Sequence, residues 1–146
     1  MKYLIYGAGT IGITYAWLLS KKHDVDLFVR SKRLEQISRG LDLHIKDLRQ
    51  GAVEYEKFVF NPRCVTEFAA QYDGVLVCVN RYELKGALPF LAEHQHLTTY
   101  FAFLQNNWNL KEELEAALPV EKTVIAFPSS VGGGRSSNRV DALSLI

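Results

Sequence analysis

Lys2-Tyr3-Leu4-Ile5-Tyr6-Gly7-Ala8-Gly9-Thr10-Ile11-Gly12 is the stretch from which the rest of the chain is read. Tyr3 to Tyr6 is a short apolar run, Leu-Ile flanked by aromatics, and predicts a buried strand. It runs directly into Gly-x-Gly-x-x-Gly. A helical pattern follows, with Ile11, Tyr15, Leu18 and Leu19 at spacings of three and four and Lys21-Lys22 closing the last turn. Val25 to Val29 then reads as a second strand, with Arg30 at its end.

Glycines are common, so the motif alone is weak evidence. The strand before it and the helix after it, within a unit of about thirty residues, give it meaning. In that setting Gly7 permits the tight turn, Gly9 lets the backbone approach a pyrophosphate, and Gly12 lets the helix pack closely on the strand. Ala8, Thr10 and Ile11 supply the intervening backbone, and the helix start offers unpaired N–H groups and partial positive charge to phosphates. The plainer alternative is a strand-to-helix turn with spare glycines; the context favours a dinucleotide site. Sites for NAD place Asp or Glu about 20 residues after the glycines, to bind the adenosine ribose 2′-OH. Here Arg30, Ser31, Lys32 and Arg33 stand in that place. An acid would repel a 2′-phosphate, whereas Arg pairs with it bidentately. NADP is therefore the expected cofactor, against the alternative of a solvated basic turn.

The 146 residues are one domain's worth of chain, 48% hydrophobic and 23% charged, as in ordinary soluble globular proteins. A formal net charge of +1 gives no sign of nucleic acid or a membrane surface as partner. Met1-Lys2 and the uncharged stretch to Ser20 have the look of a signal peptide. Three glycines interrupt that stretch at the dinucleotide spacing, and its removal would delete the first strand. No window has the uninterrupted apolar length of a transmembrane helix. Cys64 and Cys78 lack metal-ligand spacing and read as reduced, structural thiols, which fits a cytoplasmic protein. His94-x-His96 cannot complete a metal site with two residues, so no metal is expected. Tyr82 and Trp108 follow strand ends, where each either packs or lines a cofactor cleft.

Further along, Arg33 to Arg39 reads as a short helix stopped by Gly40. Leu41, Leu43 and Ile45 alternate with polar residues, and a less regular run follows from Val53 to Phe60 across Gln50-Gly51. Together they predict an antiparallel excursion before the third parallel strand. Val65 to Gln71 reads as one or two helical turns. Val75 to Val79 is a continuous apolar run of the kind buried on both faces of a parallel sheet. A helix from Glu83 to Glu93, limited or kinked by Pro89, leads to a strand from Thr98 to Leu104. Asn109 is expected to cap a helix from Leu110 to Leu118, with Glu112 and Glu113 as helix-start charge. Val124 to Phe127 is a sixth strand. Strands alternating with helices predict an α/β fold, a Rossmann-type doubly wound, mostly parallel sheet with a small antiparallel excursion. Residues 1–127 form the dinucleotide-binding domain in this reading. Residues 128–146 begin with a Gly/Ser-rich stretch to Asn138 that reads as a linker. The apolar Val140 to Ile146 that follows reads as the start of a second domain.

With these residues in hand, the chain resembles the ketopantoate reductase (2-dehydropantoate 2-reductase) family. The matching features are Gly7 to Gly12 at the N-terminus, Arg30 ending strand two, Arg39-Gly40 before the excursion, Asp73 leading into strand four, and Leu104-Gln105-Asn106 ending strand five. The Gln-Asn pair is the most specific of them. The resemblance implies a reductase that passes hydride from NADPH to a small-molecule 2-keto acid. It implies that Arg30 takes the 2′-phosphate and that Asn106 positions the nicotinamide and substrate. It further implies a catalytic Lys in a helical C-terminal domain that lies beyond this chain. Asn80 stands where the family usually has a Lys near the cofactor, with Arg81 next to it, and Asn107 stands where the family usually has Gly. These departures bear on the substrate more than on the cofactor. A reading from a different class is an NADP-binding sensor or regulatory module without catalysis of its own. Oligomeric state is not legible.

Overall fold

The computed structural model describes residues 1–48, 51, 53–107, 109–128 and 131–144. In chain order its elements are β1 (Lys2–Tyr6), α1 (Thr10–Ser20), β2 (Asp24–Phe28), α2 (Ser31–Ser38), β3 (Leu41–Asp47), β4 (Glu56–Phe60) and β5 (Arg63–Val65). Then come β6 (Gly74–Val77), α3 (Arg81–Glu93), β7 (Phe101–Leu104), α4 (Lys111–Glu115), β8 (Thr123–Ala126), β9 (Val131–Ser136) and β10 (Arg139–Ser144). Six strands make an all-parallel sheet in the order β5-β2-β1-β6-β7-β8. The chain winds outward from β1 in both directions, which is the doubly wound Rossmann order. A second, mixed sheet runs β4-β3-β10-β9, with β3 antiparallel to β4 and parallel to β10.

Alternation along β1 distributes the core to two faces. Leu4 joins Val75, Val77, Phe101 and Phe103 beneath Leu84, Leu88 and Leu91 of α3. Ile5, its neighbour, joins Ile13, Ala16 and Trp17 of α1, Leu27 of β2, and Leu43, Ile45, Val140 and Ala142 of the second sheet. Helix α1 is therefore packed between two sheets, which accounts for its lack of a polar stripe. Pro89 does not end α3, which continues to Glu93 with the proline ring exposed. No helix among the described residues is long and apolar enough to cross a membrane.

The structure corrects the sequence reading at several points. Val65 ends β5, and residues 66–71 bend without forming a helix while burying Phe68 against the α3 side. Helix α4 is N-capped by Leu110, without a side-chain cap from Asn109, and spans only Lys111–Glu115. The largest difference follows Pro128. Residues 131–144, expected to form an irregular linker followed by an unpartnered apolar start, form a hairpin whose second strand pairs with β3. Its two-residue turn is Ser137-Asn138, with Ser137 at φ +51°. Within the glycine run, Gly133 alone is needed for close packing: a Cβ there would lie 2.0 Å from the Asp141 carbonyl oxygen. Val131, Val140 and Ala142 are buried, and Val140 and Ala142 join the α1 core. Within the excursion itself, Gln50 lies outside the described residues, as do Ser129 and Ser130 before the hairpin.

Beside β1, one carboxylate ties the sheet edge together. Asp26 of β2 is 3% exposed and accepts a hydrogen bond from Arg63 Nε of β5 and one from Tyr72 Oη at 2.9 Å. Lys2 Nζ lies 3.7 Å away. Burial, and then the bond to Asp26, push the Tyr72 phenol above its ordinary range. Asp26→Ala leaves the Tyr72 hydroxyl without its acceptor, while Arg63 keeps access to water. A loss of about 2–3 kcal/mol in unfolding free energy is expected, read by urea denaturation.

Candidate functional site

A cavity of about 800 Å³ opens over the carboxyl ends of β1, β2 and β6, where the order of the parallel sheet reverses. Ligands of open α/β sheets bind at this switch point. Its floor is the glycine loop from Gly7 to Ile11. One wall is Phe28 to Arg30 with Arg33, another is Asn80, Tyr82 and Glu83, and Gly133 and Arg135 of β9 reach in from the second sheet.

The three glycines are not equivalent. Gly7 has φ +122°, and a Cβ there would lie 2.9 Å from the Cys78 carbonyl carbon and oxygen. A Cβ on Gly12 would come within 1.8 Å of the Gly7 carbonyl oxygen. The fold itself demands both. Gly9 is different: it is exposed, has an extended backbone (φ −87°, ψ −175°), and its Cβ would meet nothing within 4 Å. Neither strain nor packing within the chain requires glycine there. The space is open to whatever occupies the cavity.

Helix α1 begins beside that space. Its first backbone bond runs from Ile13 N–H to the Gly9 carbonyl at 2.9 Å, so the N–H groups of Thr10, Ile11 and Gly12 have no acceptor within the helix. No side chain caps it, and no acid stands in its first turn. Helix α2 goes further against the usual charge preference. Arg30 is its N-cap, Lys32 and Arg33 follow in the first turn, and that turn holds no acid. In contrast, α3 has Glu83 and α4 has Glu112 and Glu113 in their first turns. These two helix starts face the cavity with bare N–H groups at α1 and with Arg30 and Arg33 at α2. The chemistry suits a ligand with several phosphates, and the open position at Gly9 fits the approach of a dinucleotide pyrophosphate.

Of the residues singled out in the sequence, Gly7, Ala8, Gly9, Thr10, Ile11, Arg30 and Asn80 line the cavity, with Gly12 buried beneath them. Arg30 Nη2 lies 2.7 Å from Glu83 Oε1. Glu83 Oε2 accepts from the Asn80 backbone N–H at 3.4 Å, and Asn80 Nδ2 donates to Tyr82 Oη at 2.9 Å. Arg81 turns aside to pair with Glu113 of α4 at 2.5 Å and does not line the cavity. Asn106 is exposed just past β7, outside the lining. The Gln105 before it is buried and donates through Nε2 to the Val79 carbonyl, pinning the end of β7 to the end of β6. Tyr82 lines the cavity mouth; Trp108 lies outside the described residues. Both cysteines are free, and burial raises both thiols, most strongly Cys78. His94 is engaged by its own helix, with Nδ1 2.8 Å from the Phe90 carbonyl oxygen.

Sequence reasoning gave no role to Glu83 or Arg135. In the sequence Glu83 reads only as the start of a helix. Arg135 sat in a stretch without apolar alternation, and the Ser-Asn turn beside it was the one local sign of a hairpin.

Comparison with known proteins agrees with this architecture. A sequence model of the family described as ketopantoate reductase PanE/ApbA matches residues 3–142. No curated protein matches. Among solved structures, the probable 2-dehydropantoate 2-reductase panE from Bacillus subtilis superposes with a TM-score of 0.77 at 22% identity, over 99% of this chain and 46% of that one. D-mandelate dehydrogenase with NADH and anilino(oxo)acetate gives 0.77 at 18% identity, over 100% and 46%. The 2-dehydropantoate 2-reductase from Geobacter metallireducens GS-15 gives 0.72 at 21%, over 99% and 46%. At these identities the structures share the fold, and this chain spans under half the length of each. With the family model covering nearly all of its residues, the chain belongs to the ketopantoate reductase PanE/ApbA family.

Proposed function

We propose that the chain is the dinucleotide-binding part of a reductase that acts on a small 2-keto acid with NADP as cofactor. The observation that carries the reading is Gly9, open to the cavity at the uncapped start of α1. Backbone N–H groups from Gly9 to Gly12 hold the pyrophosphate, and Arg30 with the basic start of α2 faces the 2′-phosphate. The dihydronicotinamide, when bound, supplies hydride to the keto carbon.

Charge grows on the keto oxygen during that transfer, so a donor must be placed there beforehand. No Lys or His lines the cavity among the described residues. Asn80 follows β6, and Asn106 follows β7, its neighbour in the sheet. Asn106 orients nicotinamide and substrate through its amide, which is a poor proton donor. Arg81 braces this end through Glu113 and scarcely releases protons at neutral pH. In this reading the acid that protonates the oxygen belongs to the length of the relatives that this chain does not span. The chain alone should therefore bind NADPH without consuming it. NADPH absorbance followed with a panel of 2-keto acids checks this, and sustained turnover would place the acid among residues 1–146.

Gly9→Val fills open space with a branched side chain, so the fold should persist while dinucleotide binding is lost. Calorimetric titration beside a thermal melt separates the two effects; normal NADPH binding by the variant would reduce the loop to a simple turn. NADPH should bind the unmutated chain more tightly than NADH. Arg30→Ala should remove about 1.5–3 kcal/mol of that preference, the worth of a charge-assisted hydrogen bond. Equal affinities for the two dinucleotides would overturn the cofactor assignment.

A further inference from the structure

Arg135 comes from β9, far in sequence from the glycine loop, yet its Nη1 donates to the Ala8 carbonyl oxygen at 2.6 Å. Its Nε donates to the Ser137 carbonyl oxygen at 3.1 Å. The remaining nitrogen, Nη2, is buried and has no hydrogen-bond partner among the described residues. A buried donor on a charged group is costly to leave unmade. Something outside the described chain is the natural acceptor.

Its surroundings say what kind of acceptor. Arg30, Arg33 and Arg135 all line the cavity, and Glu83 is the one carboxylate among the lining residues. Glu83 is already paired with Arg30. Arg33 is half-buried, and its side chain makes no hydrogen bond or ion pair among the described residues. Burial, and then the charge of Arg33, lower the pKa of Arg135. Two guanidinium groups are thus held toward one cavity with no anion between them. Arg33 lies in the first turn of α2, directly after β2, where the adenosine ribose of a bound dinucleotide lies in folds of this order. The pyrophosphate has its own donors at α1. A ribose phosphomonoester carries close to two negative charges and three acceptor oxygens, which suits two guanidinium forks.

We infer that Arg135, together with Arg33, forms the anion subsite for the phosphomonoester on the adenosine ribose, making Arg135 a specificity residue supplied by the second sheet. The inference rests on the dinucleotide reading above and deepens it. The competing role is that of a strut, in which Arg135 only fastens the hairpin to the glycine loop through Ala8.

Affinities for NADPH and NADH, and for adenosine 2′,5′-bisphosphate and ADP, separate the two roles in the unmutated chain, Arg135→Gln and Arg135→Lys. Arg135→Gln should weaken NADPH and the bisphosphate roughly 10- to 100-fold, with NADH and ADP within about two-fold. Arg135→Lys keeps the charge without the fork, so it should retain part of the preference. Should Arg135→Gln fail to fold, Arg33→Gln carries the test, because that side chain holds no partner among the described residues; it should shift the same ratio. Equal weakening of NADPH and NADH, or an unchanged ratio in both Gln variants, would overturn the inference while leaving the dinucleotide reading intact. Failure of the unmutated chain to bind either dinucleotide would overturn that reading and the inference with it.

Discussion

Everything at the site depends on one close approach, that of the Gly12 backbone to the Gly7 carbonyl oxygen. No side chain fits between them. With that contact made, α1 starts directly at the end of β1, and its free N–H groups face the open side of the loop. Gly7 makes the matching turn at positive φ against the backbone at Cys78. Strand, turn and helix thereby become one rigid unit, and Gly9 is left as its open point. A longer connection could have joined β1 to α1 just as well for stability. It would not have aimed the helix start at the cavity.

Charge placement carries the second half of the argument. Helix ends normally attract compensating charge, and α3 and α4 follow that rule with glutamates. Helix α1 leaves its end bare, and α2 loads its end with Arg30, Lys32 and Arg33. Glu83 offsets the Arg30 charge from α3, and the rest of this positive end is left for an incoming anion. Natural sequences break local rules of this kind at functional sites. The hairpin adds to the same side, since Arg135 brings a third guanidinium from a different sheet. The mixed sheet is thus more than a cover for α1.

The parts legible in the sequence were those whose signal is local. The β1-loop-α1-β2 unit, the apolar run of β6 and the alternation in β3 each announce themselves within ten residues or so by period and punctuation. The doubly wound, mostly parallel class followed from their alternation with helices. What escaped depended on distant partners. Residues 131–136 carry three consecutive glycines, which look flexible until Gly133 is seen against the backbone of Asp141 and Ala142. Residues 66–71 look helical in isolation, but Phe68 is drawn into an aromatic group with Phe28 and Phe90. That the glycine loop and Arg30 would line one cavity was readable because their spacing is fixed by the chain itself. That Glu83 would meet Arg30 across 53 residues, and Arg135 meet Ala8 across 127, is a property of packing alone.

In the dinucleotide reading proposed above, the pairing of Arg30 with Glu83 bears on which adenosine ribose the cavity would favour. A carboxylate near this ribose is the usual device for accepting a hydroxyl, so Glu83 pulls toward an unphosphorylated ligand. It is also bonded to the Asn80 backbone N–H, which fixes it at the start of α3, on the wall opposite α2. Against it stand Arg30, Arg33 and Arg135, an excess of two positive charges among the lining residues. Glu83 can neutralise only one guanidinium at a time, and it holds the one that is most exposed to water, where an ion pair is worth least. The two arginines it leaves alone are the more buried ones, where an unmatched charge costs more and an incoming phosphate gains more. Under the proposed dinucleotide reading, that balance is what would favour the doubly charged ligand. Glu83 moderates that preference and keeps Arg30 in place while the cavity is open.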